Sequence, residues 1–223
     1  MLPWKVVPRS RWVRRGELLN VERRRLGRSE LGVSAVGLGT WRVLDVRGRS
    51  KEEARHEVVR AALDGGITLF DSSPMYREAE RVLGDALRKH GRDRATVATK
   101  VWTSDDREAQ RQIKNALNFF GGRVELYQVH NLVAVDKRLD MLEELQSEGK
   151  VHSIRATHYS HSAFPNLMNV MRSGRVDFVQ VPYNAVDVAV TEEVLPLAEE
   201  MDLGVIVMTP RKYKLQARRR ASR

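Results

Sequence analysis

The chain has 223 residues, 42% of them hydrophobic, no cysteine and a formal net charge of +10. That composition supports a single core of domain size and excludes disulfides and thiol catalysis. The excess charge looks like a nucleic-acid signal until it is located: residues 1–28 carry 9 basic and 2 acidic groups and residues 211–223 carry 7 basic and no acidic ones, which leaves −4 for residues 29–210, so no specific nucleic-acid partner is expected of the central region.

Residues 1–22 hold Trp4, Trp12 and scattered basic residues without a continuous apolar run, and read as a basic N-terminal extension rather than a signal peptide. From there to residue 210, strand-like and helix-like runs alternate. Ala35-Val36-Gly37-Leu38-Gly39 is the first strand-like run, and further runs begin near Ile67, Ala95, Val124, His152, Val176 and Gly204, at intervals of 24 to 29 residues. Helical periodicity fills the gaps. Ser50 and Glu53 have capping-box spacing ahead of Ala54 to Leu63, and Gly65-Gly66 supplies a stop. Similar helical segments are expected over residues 78–89, 106–118, 137–147, 162–171 and 191–200.

A βα unit repeated at this period predicts a parallel sheet with right-handed crossovers. Gly32, Gly37 and Gly39 lack the spacing of a dinucleotide fingerprint and no stretch reads as a Walker loop, so the even repeat favours a (β/α)8 TIM-type barrel over a doubly wound sheet. After Met208 the chain passes through Thr209-Pro210 into an Arg-rich tail, residues 211–223, and no eighth unit is legible. The expected architecture is α/β, a TIM-type barrel over residues 23–210 with about seven βα units and the eighth missing. The first and seventh strands would then be open edges, which invite self-association.

Chemistry-bearing residues sit where the strand-like runs end. Ile67 to Phe70 leads into Asp71, Ala95 to Thr99 into Lys100, and Val124 to Val129 into His130, while Tyr76 follows Asp71 across a Ser-Ser-Pro-Met turn. In a barrel the C-terminal strand ends ring one mouth, so these four residues converge there. Singly, Asp71 is equally a turn or capping residue, Lys100 a snorkelling cation and His130 a hydrogen-bonded core histidine. Together, an acid, a base, a cation and a phenol suggest proton transfer. His158 and His161 form an HxxH pair without a third ligand, so no metal is expected.

The segments Arg24 to Ser29, Val36 to Trp41, Phe70 to Tyr76, Thr99 to Trp102 and Gln128 to His130 resemble the aldo-keto reductases, and the resemblance runs in order over about residues 23–210. It implies a barrel with a short N-terminal hairpin and NADPH-dependent reduction of aldehydes and ketones. Asp71, Tyr76, Lys100 and His130 would form the catalytic tetrad. Tyr76 would be the general acid, its pKa lowered by Lys100; Asp71 would hold Lys100, and His130 would orient the substrate oxygen. Gly39, Thr40, Trp41, Thr157, His158, Gln180 and Met208 would lie on the cofactor side, with Trp102 walling the substrate pocket. Thr157-His158 stands where the family places Ser-Asn. The segment that would bind the adenosine 2′-phosphate and close the barrel is not recognisable, so the resemblance leaves open a small-molecule carbonyl reductase and a non-catalytic remnant or regulatory subunit. No run is long enough for membrane insertion, and the absence of cysteine fits a cytoplasmic location.

Overall fold

The computed structural model describes residues 21–29 and 31–210, so the basic extension up to residue 20 and the tail 211–223 lie outside the described residues. A short hairpin, β1 (Arg23–Arg25) and β2 (Gly32–Ser34), precedes a parallel sheet of β3 (Gly37–Gly39), β4 (Leu69–Asp71), β5 (Thr96–Val101), β6 (Val124–His130), β7 (Val151–Thr157), β8 (Phe178–Pro182) and β9 (Gly204–Met208). The seven strands are arranged in sequence order, each parallel to the next. The connecting helices are α1 (Arg49–Asp64), α2 (Ala79–His90), α3 (Asp106–Phe119), α4 (Val135–Ser147), α5 (Phe164–Arg172) and α6 (Val194–Glu200). All seven expected strand-like runs are therefore strands of one sheet. None of the described helices is long and apolar enough to cross a membrane.

Alternation along the strands sorts side chains to two faces. Phe70, Val97, Val101, Tyr127, Val129, Ile154, Ala156, Val179 and Val181 point outward into the main core, where helix residues such as Val82, Leu83, Ile113, Leu139 and Leu167 cover them. Leu69, Ala98, Leu126 and Phe178 point the other way and pack with Leu26 and Val33 of the hairpin. Leu69 of β4 and Phe178 of β8 are four strand spacings apart, roughly 19 Å on a flat sheet. Their shared cluster under one small hairpin requires the sheet to curl, which makes it part of a (β/α)8 barrel with the hairpin as its floor.

The hairpin is fastened to both sides of that floor. Ser34 Oγ accepts the amides of Thr68 and Leu69 at 2.9 and 3.2 Å. On the other side the Arg28 amide donates to the Asp202 carbonyl at 2.8 Å, and its guanidinium donates to the carbonyls of Gly174 and Val176. Gly27 makes this closeness possible: its φ is +54° and a Cβ there would meet the Gly204 nitrogen at 2.0 Å.

Two local expectations change. The Ser50/Glu53 capping box does not form, because α1 begins two residues earlier, at Arg49, with Gly48 as its cap and Glu52 Oε1 accepting the Gly48 amide at 3.3 Å. Helix α6 starts only at Val194, since a separate 3-10 turn occupies Ala189–Thr191.

Candidate active site

The C-terminal ends of the strands open into the loops that carry the candidate residues. Among the described residues, six of the seven non-glycine residues with positive φ lie in those loops: Arg42 after β3, Arg77 after β4, Asn131, Leu132 and Ala134 after β6, and Thr209 after β9. Concentrated backbone strain of this kind marks positions held in place by their surroundings.

Asp71 is the hub. Its Oδ1 accepts from Lys100 Nζ at 3.0 Å, Gln128 Nε2 at 3.1 Å and Arg155 Nη2 at 2.9 Å, and its Oδ2 accepts from Lys100 Nζ at 2.9 Å. Burial would raise its pKa, but the charges of Lys100 and Arg155 outweigh that and hold the carboxyl below the usual range. Lys100 is buried, and its third hydrogen bond goes to the Ser72 carbonyl at 2.6 Å. Burial pulls the ammonium below the ordinary lysine value, with Asp71 opposing. The Tyr76 ring centroid lies 5.5 Å from Lys100 Nζ.

Tyr76 sits on the one-turn 3-10 helix Pro74–Tyr76, which Ser73 caps by accepting the Met75 amide. Burial, and next the negative charge of Asp71, push its phenol up to about 12; the charge that opposes them is that of Arg155. The lowering expected of Lys100 is not seen in this geometry. His130 Nδ1 lies 3.3 Å from Ser73 Oγ. Burial and the Lys100 charge drop its pKa to about 3, so the ring is neutral at physiological pH and presents its other nitrogen without charge.

The remaining expected residues fall into two groups. Trp102 stands 6.4 Å from the His130 ring, centroid to centroid, and Trp41 and Trp102 are 57% and 42% exposed. They flank the mouth and are not core aromatics. Gly39 pairs in register with Asp71, Gln180 is buried in the middle of β8 in register with Thr157, and Met208 closes β9 opposite Pro182. Two hydroxyls are already engaged: Thr40 Oγ1 donates to Ser72 Oγ at 2.9 Å, and Thr157 Oγ1 to the Gln180 carbonyl at 3.0 Å. His158 and His161 have separate partners, the Ser160 amide and Asp187.

The sequence reading missed Arg155. It lies two residues before Thr157 on the inward face of β7 and is completely buried. A charged residue at an inward position of the run Val151 to Thr157 was the available signal.

The profile of the aldo/keto reductase family matches residues 35–214. Aldo-keto reductase YhdN of Bacillus subtilis (strain 168) is 31% identical over 192 residues, covering 78% of this chain and 57% of that protein. The NADH-specific methylglyoxal reductase of Escherichia coli (strain K12) is 25% identical over 217 residues, 83% of this chain and 66% of that one. This chain therefore spans less than two thirds of the length of either relative. Among solved structures, an aldo/keto reductase of Klebsiella pneumoniae in complex with NADP and acetate superposes with a TM-score of 0.69 at 24% identity, covering 80% of this chain and 65% of that one. The glycerol dehydrogenase of Gluconobacter oxydans gives 0.72 at 23% identity, covering 84% and 63%; both share the fold. A curled parallel barrel with a polar mouth of this composition defines the class, and the chain belongs to the aldo/keto reductase family.

Proposed function

We propose that the protein is a cytoplasmic NADPH-dependent reductase of small aldehydes and ketones, with Asp71, Tyr76, Lys100 and His130 as its reacting group. The observation that carries this reading is the buried Lys100–Asp71 pair set beneath the Tyr76 ring and beside a neutral His130 at one mouth. NADPH is suggested by the Klebsiella pneumoniae structures in complex with NADP and NADPH; the NADH-specific E. coli relative makes NADH the competitor to test. The mouth suits the nicotinamide end of such a cofactor. Gln180 places an amide there and Thr157 a hydroxyl, while Trp41 and the half-exposed ring of Tyr183, just beyond β8, offer flat apolar surface. When bound, reduced nicotinamide supplies a hydride for the carbonyl carbon.

The chain's own residues then handle the oxygen. Neutral His130 donates a hydrogen bond to the carbonyl oxygen and fixes its position. Tyr76, protonated throughout the working pH range, passes its phenolic proton to that oxygen as negative charge develops, and the phenolate recovers a proton from solvent. Asp71 keeps Lys100 in place, and Lys100 anchors the turn leading to Tyr76 through the Ser72 carbonyl. Trp102 excludes water from the substrate side.

Purified protein assayed with NADPH, and separately NADH, against a reactive aldehyde tests the reading. Turnover should fall roughly 10²–10⁴-fold in Tyr76→Phe, the usual share of general acid catalysis, with nucleotide affinity unchanged. Absence of nucleotide binding in the wild-type chain would refute it in favour of a non-catalytic family member.

A further inference from the structure

Trp102 stands one residue past the end of β5, beyond the last register pair with β6, Val101 with Val129. Backbone N–H and C=O groups at such a place go to water or to side chains, and here a side chain takes both. The Trp102 amide donates to Gln112 Oε1 at 2.9 Å, and its carbonyl accepts from Gln112 Nε2 at 3.2 Å. The side-chain amide of α3 thus closes the two-bond ring that an antiparallel strand partner would close. The second proton of Gln112 Nε2 goes to Glu108 Oε1 at 2.9 Å, one turn earlier on α3, and so fixes which way the amide faces. That hydrogen bond holds the Glu108 carboxyl below its usual range. Glu108 is fixed in turn, its own amide donating to the α3 cap Asp105 at 2.7 Å.

The next two residues are held from a second helix. Arg138 of α4 is buried and donates from Nε to the Thr103 carbonyl and from Nη2 to the Ser104 carbonyl, each at 3.2 Å. Its Nη2 also pairs with Asp106 at the start of α3. Three consecutive carbonyls, those of Trp102, Thr103 and Ser104, therefore accept from side chains. A loop without a backbone ladder is ordinarily among the first parts of a fold to open; this one is braced by α3 and α4. The indole it carries is 42% exposed, its ring 6.4 Å from that of His130, so its place is set by the bracing of its backbone more than by packing around the ring.

We propose that Gln112 is the positioning residue that fixes the Trp102 indole as a rigid wall, with Arg138 bracing the turn behind it, and that this rigidity confines the site to carbonyl compounds slender beside the reacting carbon. The proposal rests on the reading of Trp102 as the substrate-side wall and deepens it. Neither Gln112 nor Arg138 touches the reacting atoms. Their loss lets the indole move, which weakens the binding of a slender substrate in ground state and transition state alike and admits a branched one. The kinetic mark of such a change is a raised KM at nearly constant kcat.

The first readout needs no turnover. In the chain labelled with 5-fluorotryptophan, the fluorine resonances of Trp102 and Trp41 are assigned by their loss in Trp102→Phe and Trp41→Phe. Gln112→Met keeps the length of the side chain and removes both hydrogen bonds to Trp102; it should shift or broaden the Trp102 line and leave that of Trp41 in place. The second readout is kinetic. With propanal, Gln112→Met should raise KM roughly tenfold, the scale of one or two net hydrogen bonds, with kcat within about twofold of wild type. The kcat/KM ratio of 2-phenylpropanal to propanal should rise. Arg138→Lys should act in the same direction. Should Gln112→Met fail to fold by circular dichroism, Gln112→Ala takes its place. A Trp102 line unchanged on losing Gln112, or a Trp41 line that changes equally, overturns the assignment, and so does an unchanged KM in an active chain. A wild-type chain without turnover would remove the proposed reaction and leave the fluorine spectrum to decide for Gln112 alone.

Discussion

Glu80→Gln should abolish a pH dependence of stability that the wild-type chain carries between about pH 4.5 and pH 7. Glu80 projects from α2 into the layer between helices and sheet, where it is buried and its carboxylate accepts one hydrogen bond from Thr99 Oγ1. Burial raises its pKa from 4.5 to about 7, against the Thr99 hydrogen bond and the charge of Lys100. Because the folded value lies above the unfolded one, the stability it contributes is fully present below about pH 4.5 and is lost as pH rises through 7. The gap corresponds to something on the order of 3 kcal/mol, a large part of the stability of a domain this size. Glutamine keeps the shape and cannot ionise. Urea unfolding of both chains near pH 5 and near pH 8 is the assay. The two should differ little at the lower pH, and the variant should gain most of that roughly 3 kcal/mol at the higher one. A wild-type-to-variant difference that is the same at both pH values would show that Glu80 ionises freely in the folded chain and would refute the reasoning.

Asp71→Asn leaves Lys100 and Arg155 buried without a counter-charge, so thermal or urea unfolding should report a loss of roughly 3–5 kcal/mol; a loss below about 1 kcal/mol would mean that water reaches the cluster. Gly27→Ala should loosen the barrel floor, since its Cβ would overlap the Gly204 nitrogen and its backbone is left-handed. Faster hydrogen exchange at Gly204 and Arg28 should accompany a destabilisation of at least ~1 kcal/mol, and unchanged exchange would place the hairpin elsewhere.

The repeat of strand-like and helix-like runs was legible in the sequence because periodicity is a local property: alternation and helical spacing depend only on neighbours along the chain. The same locality placed Asp71, Lys100 and His130 at strand ends. Helix starts were less legible, since Gly48 with Glu52 and Ser50 with Glu53 are alternative starts two residues apart and the winner depends on where β3 delivers the chain. Lengthwise, then, the sequence by itself determined the order of elements and the rim on which the candidate residues stand. Only the tertiary structure decided what those residues meet. Curling the sheet brings Arg155 to Asp71 across 84 positions of sequence, commits every proton of Lys100, turns the Thr40 hydroxyl onto Ser72, and surrounds Tyr76 with low dielectric and a carboxylate. Those outcomes follow from distances across the barrel and from burial, which no local pattern along the chain encodes.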